Sequence, residues 1–200
     1  DAIMIENLLL KLQKKNNKIL DPLCFTNNVN INILRSKINE INNKNLDHTI
    51  LFYYSGHGHN NSIGYNNLDG NQINSLIETG KKSEFSKIFI LDCCHANSIK
   101  IPVGNNLTIS SCDSGELSSE SLSEIRSLNE NNKQYVYSKK FKKDKIEYYN
   151  FQIGIFTYNF CEIFGEDNFL NNSIWATIKF ISNQKMCIEG NKNLLQILYK

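Results

Sequence analysis

Two continuous apolar runs constrain this chain more than any other feature. His48-Thr49-Ile50-Leu51-Phe52-Tyr53-Tyr54 and Lys87-Ile88-Phe89-Ile90-Leu91 show no alternation of apolar and polar residues. A strand with one wet face alternates, whereas a strand covered on both faces does not, and the interior of a parallel sheet has that second pattern. Parallel strands need a crossover connection, and residues 70–80 between the two runs read as its helix. Asn106-Leu107-Thr108-Ile109-Ser110-Ser111 is a third strand of the same kind.

The other segments supply the covering. Ile5, Leu8, Leu9 and Leu12 recur at helical spacing, so residues 2–16 form an amphipathic helix. A second helix carries Ile31, Leu34, Ile38 and Ile41 on its buried stripe, with Thr26 or Asn27 as its cap. Leu23-Cys24-Phe25 reads as a short strand. A helix starts at Gly154-Ile155-Phe156-Thr157-Tyr158 and runs to Gly165, another holds Ile174, Trp175, Ile178 and Ile181, and Leu194 to Tyr199 reads as a closing strand. Residues 113–150 are polar and rich in Ser and Lys, a surface excursion with a hairpin over 134–149 around Lys142-Lys143-Asp144-Lys145. Strands alternating with helices give an α/β class: a mostly parallel sheet flanked by helices on both faces. A length of 200 residues fits one domain over 1–200.

Composition narrows the function. With 22 basic against 20 acidic side chains, the net charge of +2 gives no case for a nucleic-acid surface. There is no apolar run of roughly 18 residues to span a membrane, and Asp1-Ala2-Ile3-Met4 opens without a signal-peptide pattern. The six cysteines form no C-x-x-C pair, which suits buried thiols in a reducing, cytoplasmic setting.

Ligands of open α/β sheets sit at the carboxyl ends of the strands, and here two strands end in reactive side chains. One delivers His57 between Gly56 and Gly58; the other delivers Cys94 behind Asp92. If the strands are neighbours, an imidazole beside a thiol activates sulfur as a nucleophile. Gly58 lets a backbone N–H approach a reacting carbonyl, and with the N–H of Cys94 it makes an oxyanion hole. Acyl transfer, and peptide hydrolysis in particular, is the matching reaction class.

Phe52-Tyr53-Tyr54-Ser55-Gly56-His57-Gly58 followed by Phe89-Ile90-Leu91-Asp92-Cys93-Cys94-His95-Ala96 resembles the caspase-fold cysteine peptidases, most closely metacaspases and their bacterial relatives. Their histidine sits in a Y-S-G-H-G loop and their cysteine in D-S-C-H-S-G. The resemblance implies a caspase-like fold, His57 as base and Cys94 as nucleophile, with Cys93 in place of the usual serine. Asp1-Ala2 before an apolar helix resembles the family's N-D-A segment, Ser110-Ser111-Cys112 its small-residue strand end, and Gly154-Ile155-Phe156-Thr157-Tyr158 its late G-x-F-T signature.

Metacaspases cleave after Arg or Lys, so the resemblance implies a specificity pocket holding Asp92 and Asp1 and a polypeptide substrate with a basic residue before the scissile bond. Asp113 and Glu116 align loosely with the same pocket. The family's hydrophobic first strand, upstream of N-D-A, has no match here, which implies a longer parent chain with further segments. The acid-rich calcium segment also has no clear match, so no cofactor is expected and calcium activation lacks a matching site. Self-cleavage, if it occurs, is expected in the Lys-rich stretch 139–145.

The bland readings are concrete. His57 can be a loop histidine, Cys94 an inert thiol, and Asp92 a turn cap; His59 and His95 read as solvent-facing. A zinc site from Cys93, Cys94, His95 and His57 has suitable ligand types, but adjacent ligands strain tetrahedral geometry, so no metal is expected. The alternative of another class is a catalytically silent caspase-like interaction or signalling module. A scaffold needs neither His57 nor Cys94. A non-proteolytic acyl transferase using the same pair is the third reading.

Overall fold

The computed structural model describes residues 1–16, 23–25, 30–44, 48–80, 85–118, 120–126, 139–143, 146–157, 160–161 and 185–199. In chain order the elements are α1 (Ala2–Asn16), α2 (Ile31–Asn43), β1 (Thr49–Gly56), β2 (Gly58–His59), β3 (Ser62–Ile63), β4 (Leu68–Asp69), α3 (Gly70–Ile77), β5 (Ser86–Cys93) and β6 (Asn106–Ser110). There follow β7 (Glu120–Arg126), β8 (Lys139–Lys143), β9 (Ile146–Gly154), β10 (Cys187–Gly190) and α4 (Leu195–Tyr199). Short 3-10 turns cover Ala96–Ser98 and Lys192–Leu194.

The central sheet has the order β1-β5-β6-β10. Its first three strands are parallel, and β10 runs antiparallel to β6. β5 lies between two neighbours, and every residue from Lys87 to Cys93 is buried. The alternation hidden in its apolar sequence reappears in space. Ile88 and Ile90 pack with Ile5 and Leu8 of α1 and with Phe156 and Phe160, whereas Phe89, Leu91 and Cys93 pack with Ile38 of α2 and with Ile73, Leu76 and Ile77 of α3. Helices therefore cover both faces of a mostly parallel sheet, and the continuous run is apolar because neither face meets water. At about 25 cal/mol per Å² of apolar surface, this two-sided burial is the main stabilising term of the fold.

Local chemistry sets the helix starts. Asp69 caps α3 in a reciprocal capping box: its side chain accepts from the Gln72 N–H at 2.8 Å, and the Gln72 side chain accepts from the Asp69 N–H at 2.9 Å. α2 is capped by Asn30, whose Oδ1 accepts from the Asn32 N–H at 2.9 Å. That corrects the expected Thr26 or Asn27, which lie outside the described residues. In an Asn-rich stretch several side chains have the capping chemistry, and only the position of the first helical turn selects among them.

Two further expectations change. Leu23–Phe25 is not a strand: among the described residues no segment supplies its ladder. Leu194 to Tyr199 is helical rather than a closing strand: Asn191 Oδ1 accepts from the Asn193 N–H at 3.1 Å and starts a 3-10 turn that continues into α4. The closing strand is β10, which pairs Cys187 with Ser110 and Gly190 with Leu107.

The expected hairpin is present as β8 and β9, which face each other from Lys143↔Ile146 to Lys139↔Asn150. β7 pairs with the other side of β9, from Arg126↔Tyr148 to Glu120↔Gly154, so the excursion contains a three-stranded antiparallel sheet. β9 ends at Gly154, and residues 155–157 and 160–161 are helical, as the G-x-F-T stretch predicts. The expected helix around Ile174 to Ile181 lies outside the described residues.

Candidate active site

β1 and β5 run side by side in strict register, ending with Ser55↔Asp92 and Gly56↔Cys93. The next residue of each chain is His57 on one side and Cys94 on the other, so the two motifs emerge together at the carboxyl edge of the sheet. Gly58 then lies hard against the second loop. A Cβ built on it would stand 2.1 Å from the Cys94 carbonyl oxygen and 2.8 Å from Cys93 Sγ. Only a residue without a side chain lets the backbone come this close.

The glycine-rich His57 segment leads into a miniature meander of β2, β3 and β4. It holds the His57 backbone from two sides: the His57 carbonyl accepts from the Gly64 N–H and from the Tyr54 hydroxyl, both at 2.9 Å. Burial pushes the Tyr54 phenol up to about 12, with the Cys93 thiol adding to the shift, so the hydroxyl keeps the proton it donates. The His57 ring stays exposed, edge-on to Tyr65 with centroids 5.8 Å apart.

Cys93 and Cys94 separate by face. Cys93 is fully buried among the α2 and α3 contacts, and burial drives its thiol pKa well above the usual range, with Cys112 and Asp92 acting in the same direction. A thiol held protonated and closed to solvent is inert. Cys94 is half-buried. Just after it, His95 adopts a left-handed backbone at φ 56°, turning the chain. His95 is not simply solvent-facing. Its N–H donates to the Glu116 carbonyl and its Nδ1 lies 2.8 Å from the Ser114 carbonyl, which only accepts, so Nδ1 carries the proton.

This clamp ties the Cys94 loop to residues 112–118. Cys112 Sγ donates to the Cys93 carbonyl at 3.2 Å, and Asn97 Nδ2 donates to Asp113 Oδ1 at 3.2 Å. Asp113 is ion-paired with Lys185, and that hydrogen bond, more than any other influence, holds its carboxyl far below the usual range. Glu116 Oε2 accepts from the N–H groups of Asp113 and Lys185, each at 3.1 Å. Both acids are thus engaged in holding this loop together.

Asp1 and Asp92 do converge. Asp92 is 3 % exposed, on the α1 face of β5, and Gly154 bridges the pair. A Cβ on Gly154 would fall 2.4 Å from Asp92 Oδ2 and 3.4 Å from Asp1 Oδ2. Asp92 Oδ1 accepts from Ser118 Oγ at 2.7 Å, while Oδ2 accepts from the Thr157 hydroxyl at 2.5 Å and the Thr157 N–H at 3.3 Å. Asp1 accepts from Ser55 Oγ at 2.6 Å and from the Gly154 N–H at 3.1 Å. Among the described residues no lysine or arginine side chain pairs with either carboxylate.

Ser118, Thr157 and Ser55 were not legible as carboxylate partners, since a lone hydroxyl has no sequence signature. Thr157 at least stood within the late G-x-F-T stretch.

The caspase-domain family model matches residues 1–174. The chain belongs to the caspase-domain family. That family is one of cysteine peptidases, and it accounts for a mostly parallel sheet flanked by helices and for a polypeptide as the class of substrate. No curated protein gives a match to this caspase domain. None of its described helices is long and apolar enough to cross a membrane.

Proposed function

We propose that this caspase domain is an endopeptidase in which Cys94 is the nucleophile, His57 the general base, and Asp92 with Asp1 the acceptor for an Arg or Lys side chain before the scissile bond. The observation that carries the reading is the shared strand end. Ser55↔Asp92 and Gly56↔Cys93 are paired, and the Gly58 backbone abuts the Cys94 carbonyl, so base, nucleophile and acid leave the sheet together.

The chemistry follows from these groups. His57 takes the Cys94 thiol proton, and the thiolate adds to the scissile carbonyl. Backbone N–H groups of Gly58 and Cys94 stabilise the oxyanion that forms. His57 returns the proton to the leaving amine as the C–N bond breaks, leaving a thioester on Cys94. Water then adds to the thioester with His57 again as base, and the carboxylic product leaves with the thiol restored.

Charge is what would select the substrate at Asp92 and Asp1. A carboxylate buried without a cation is costly, even with hydroxyl and amide donors around it. A substrate ammonium or guanidinium supplies the missing charge and makes charge-assisted hydrogen bonds with two acids at once.

Hydrolysis of fluorogenic peptides ending in Arg, Lys or Asp, with and without calcium, tests the reading. Arg or Lys cleavage that falls by roughly 1,000-fold or more in both Cys94→Ala and His57→Ala is the expected result. Cleavage after Asp keeps the peptidase and removes the acidic-pocket assignment. No turnover from a folded protein whose Cys94 also resists iodoacetamide leaves a silent module.

A further inference from the structure

Asp92 is held by a chain of hydroxyls that begins in the core. The Thr157 hydroxyl has one proton, and it is committed to Asp92 Oδ2. The Tyr53 hydroxyl, 2.6 Å from Thr157 Oγ1, is therefore the donor in the next bond. Burial pushes the Tyr53 phenol well above its usual pKa, and the charge of Asp92 adds to that shift, so the tyrosine stays protonated as a donor. The order Tyr53 to Thr157 to Asp92 runs in one direction only, with every proton aimed at the carboxylate.

The relay has a structural basis in the strand alternation. Tyr53, like Leu51, lies on the α1 face of β1, and Asp92 follows Ile88 and Ile90 on the same face of β5. Thr157 reaches them from the helical turn that follows Gly154, and it is fully buried. Three of the roughly four acceptor sites of an ionised carboxylate are then used, by Ser118 Oγ, Thr157 Oγ1 and the Thr157 N–H. Among the described residues, one remains for an incoming donor. An acid fixed in this way loses little conformational freedom when it binds a cation.

We infer that Tyr53 and Thr157 are specificity-positioning residues, which hold the Asp92 carboxylate fixed for a cationic substrate side chain. This rests on the proposed pocket, and it adds residues that touch neither the nucleophile nor the substrate. Thr157→Val keeps the shape of the side chain, removes one donor from Asp92 and takes away the Thr157 acceptor of the Tyr53 hydroxyl. Tyr53→Phe removes only the outer donor. Thr157→Ser keeps the whole relay.

The test measures binding apart from turnover. In the Cys94→Ala background, calorimetry reads the affinity of a short peptide amide ending in Arg against the same peptide ending in norleucine. The Arg peptide is expected to bind more tightly, and Thr157→Val to narrow that gap by roughly tenfold. Tyr53→Phe narrows it less, and Thr157→Ser retains it. In the active enzyme, Thr157→Val raises KM for Arg peptides more than it lowers kcat, a split that general loosening of the fold does not produce. An unchanged Arg–norleucine gap in Thr157→Val overturns the inference and leaves the peptidase standing, as does equal binding of the two peptides before any relay substitution. A gap that depends on Thr157 in a protein that hydrolyses neither peptide supports the inference and removes the peptidase. If Thr157→Val does not fold, Tyr53→Phe decides: no narrowing there overturns it.

Discussion

β5 carries a buried charge near each end, and the two are treated differently. At the amino end Lys87 is 6 % exposed, and at the carboxyl end Asp92 is 3 % exposed. Lys87 has a partner of opposite charge, since its Nζ is ion-paired with Glu78 and also donates to Asn74 Oδ1 at 2.9 Å, both from the α3 side. It also stands 5.7 Å over the Phe85 ring. Asp92 has hydroxyls and an amide around it, a second carboxylate nearby, and no lysine or arginine side chain among the described residues. Among the described residues, one end of the strand has its counter-charge and the other does not. The carboxyl end is also where ligands of open α/β sheets sit, which agrees with the pocket proposed there.

Replacing the charge at each end should separate activity from stability. Asp92→Asn removes the negative charge with little change in shape. Cleavage after Arg or Lys is expected to fall by roughly 100-fold or more, while stability to heat or urea moves by no more than about 1 kcal/mol. A large loss of stability would make Asp92 a structural acid and end the contrast. Glu78→Gln does the reverse. It leaves the Lys87 ammonium, whose side chain is 8 % exposed, without its counter-charge. The expected cost is about 1–3 kcal/mol in urea denaturation, with the kcat/KM ratio between Arg and neutral peptides unchanged. Lys87→Met sharpens the comparison with the smallest effect. The Glu78 side chain is 46 % exposed and stays hydrated, so removing its partner is expected to shift stability by less than about 1 kcal/mol in either direction.

How far the sequence spoke depended on how much each residue's role was local. The two apolar runs and their polar ends placed β1, β5, His57 and Cys94, because two-sided burial leaves a compositional mark and strand ends are where that mark stops. The α1 stripe of Ile5 and Leu8 was equally plain. Leu194 to Tyr199 misled because a short apolar run fits either a strand or one turn of helix, and the Asn191 cap decided it. β10 was missed since Cys187–Gly190 is a four-residue edge strand whose identity comes from β6. The relay through Tyr53 and Thr157 joins positions more than a hundred residues apart, and only tertiary structure brings a hydroxyl to an acid over that distance.

Gly154 carries a consequence for how this molecule can change. Its α-carbon closes the space between the two acids so tightly that even a methyl group would fall 2.4 Å from Asp92 Oδ2. Any side chain at this position would have to displace the Asp92 carboxylate, which three hydrogen bonds hold in place. Selection experiments that diversify the pocket should therefore return Gly154 in every functional survivor, even as Ser118 and Ser55 drift. New specificities would have to be written around a fixed point.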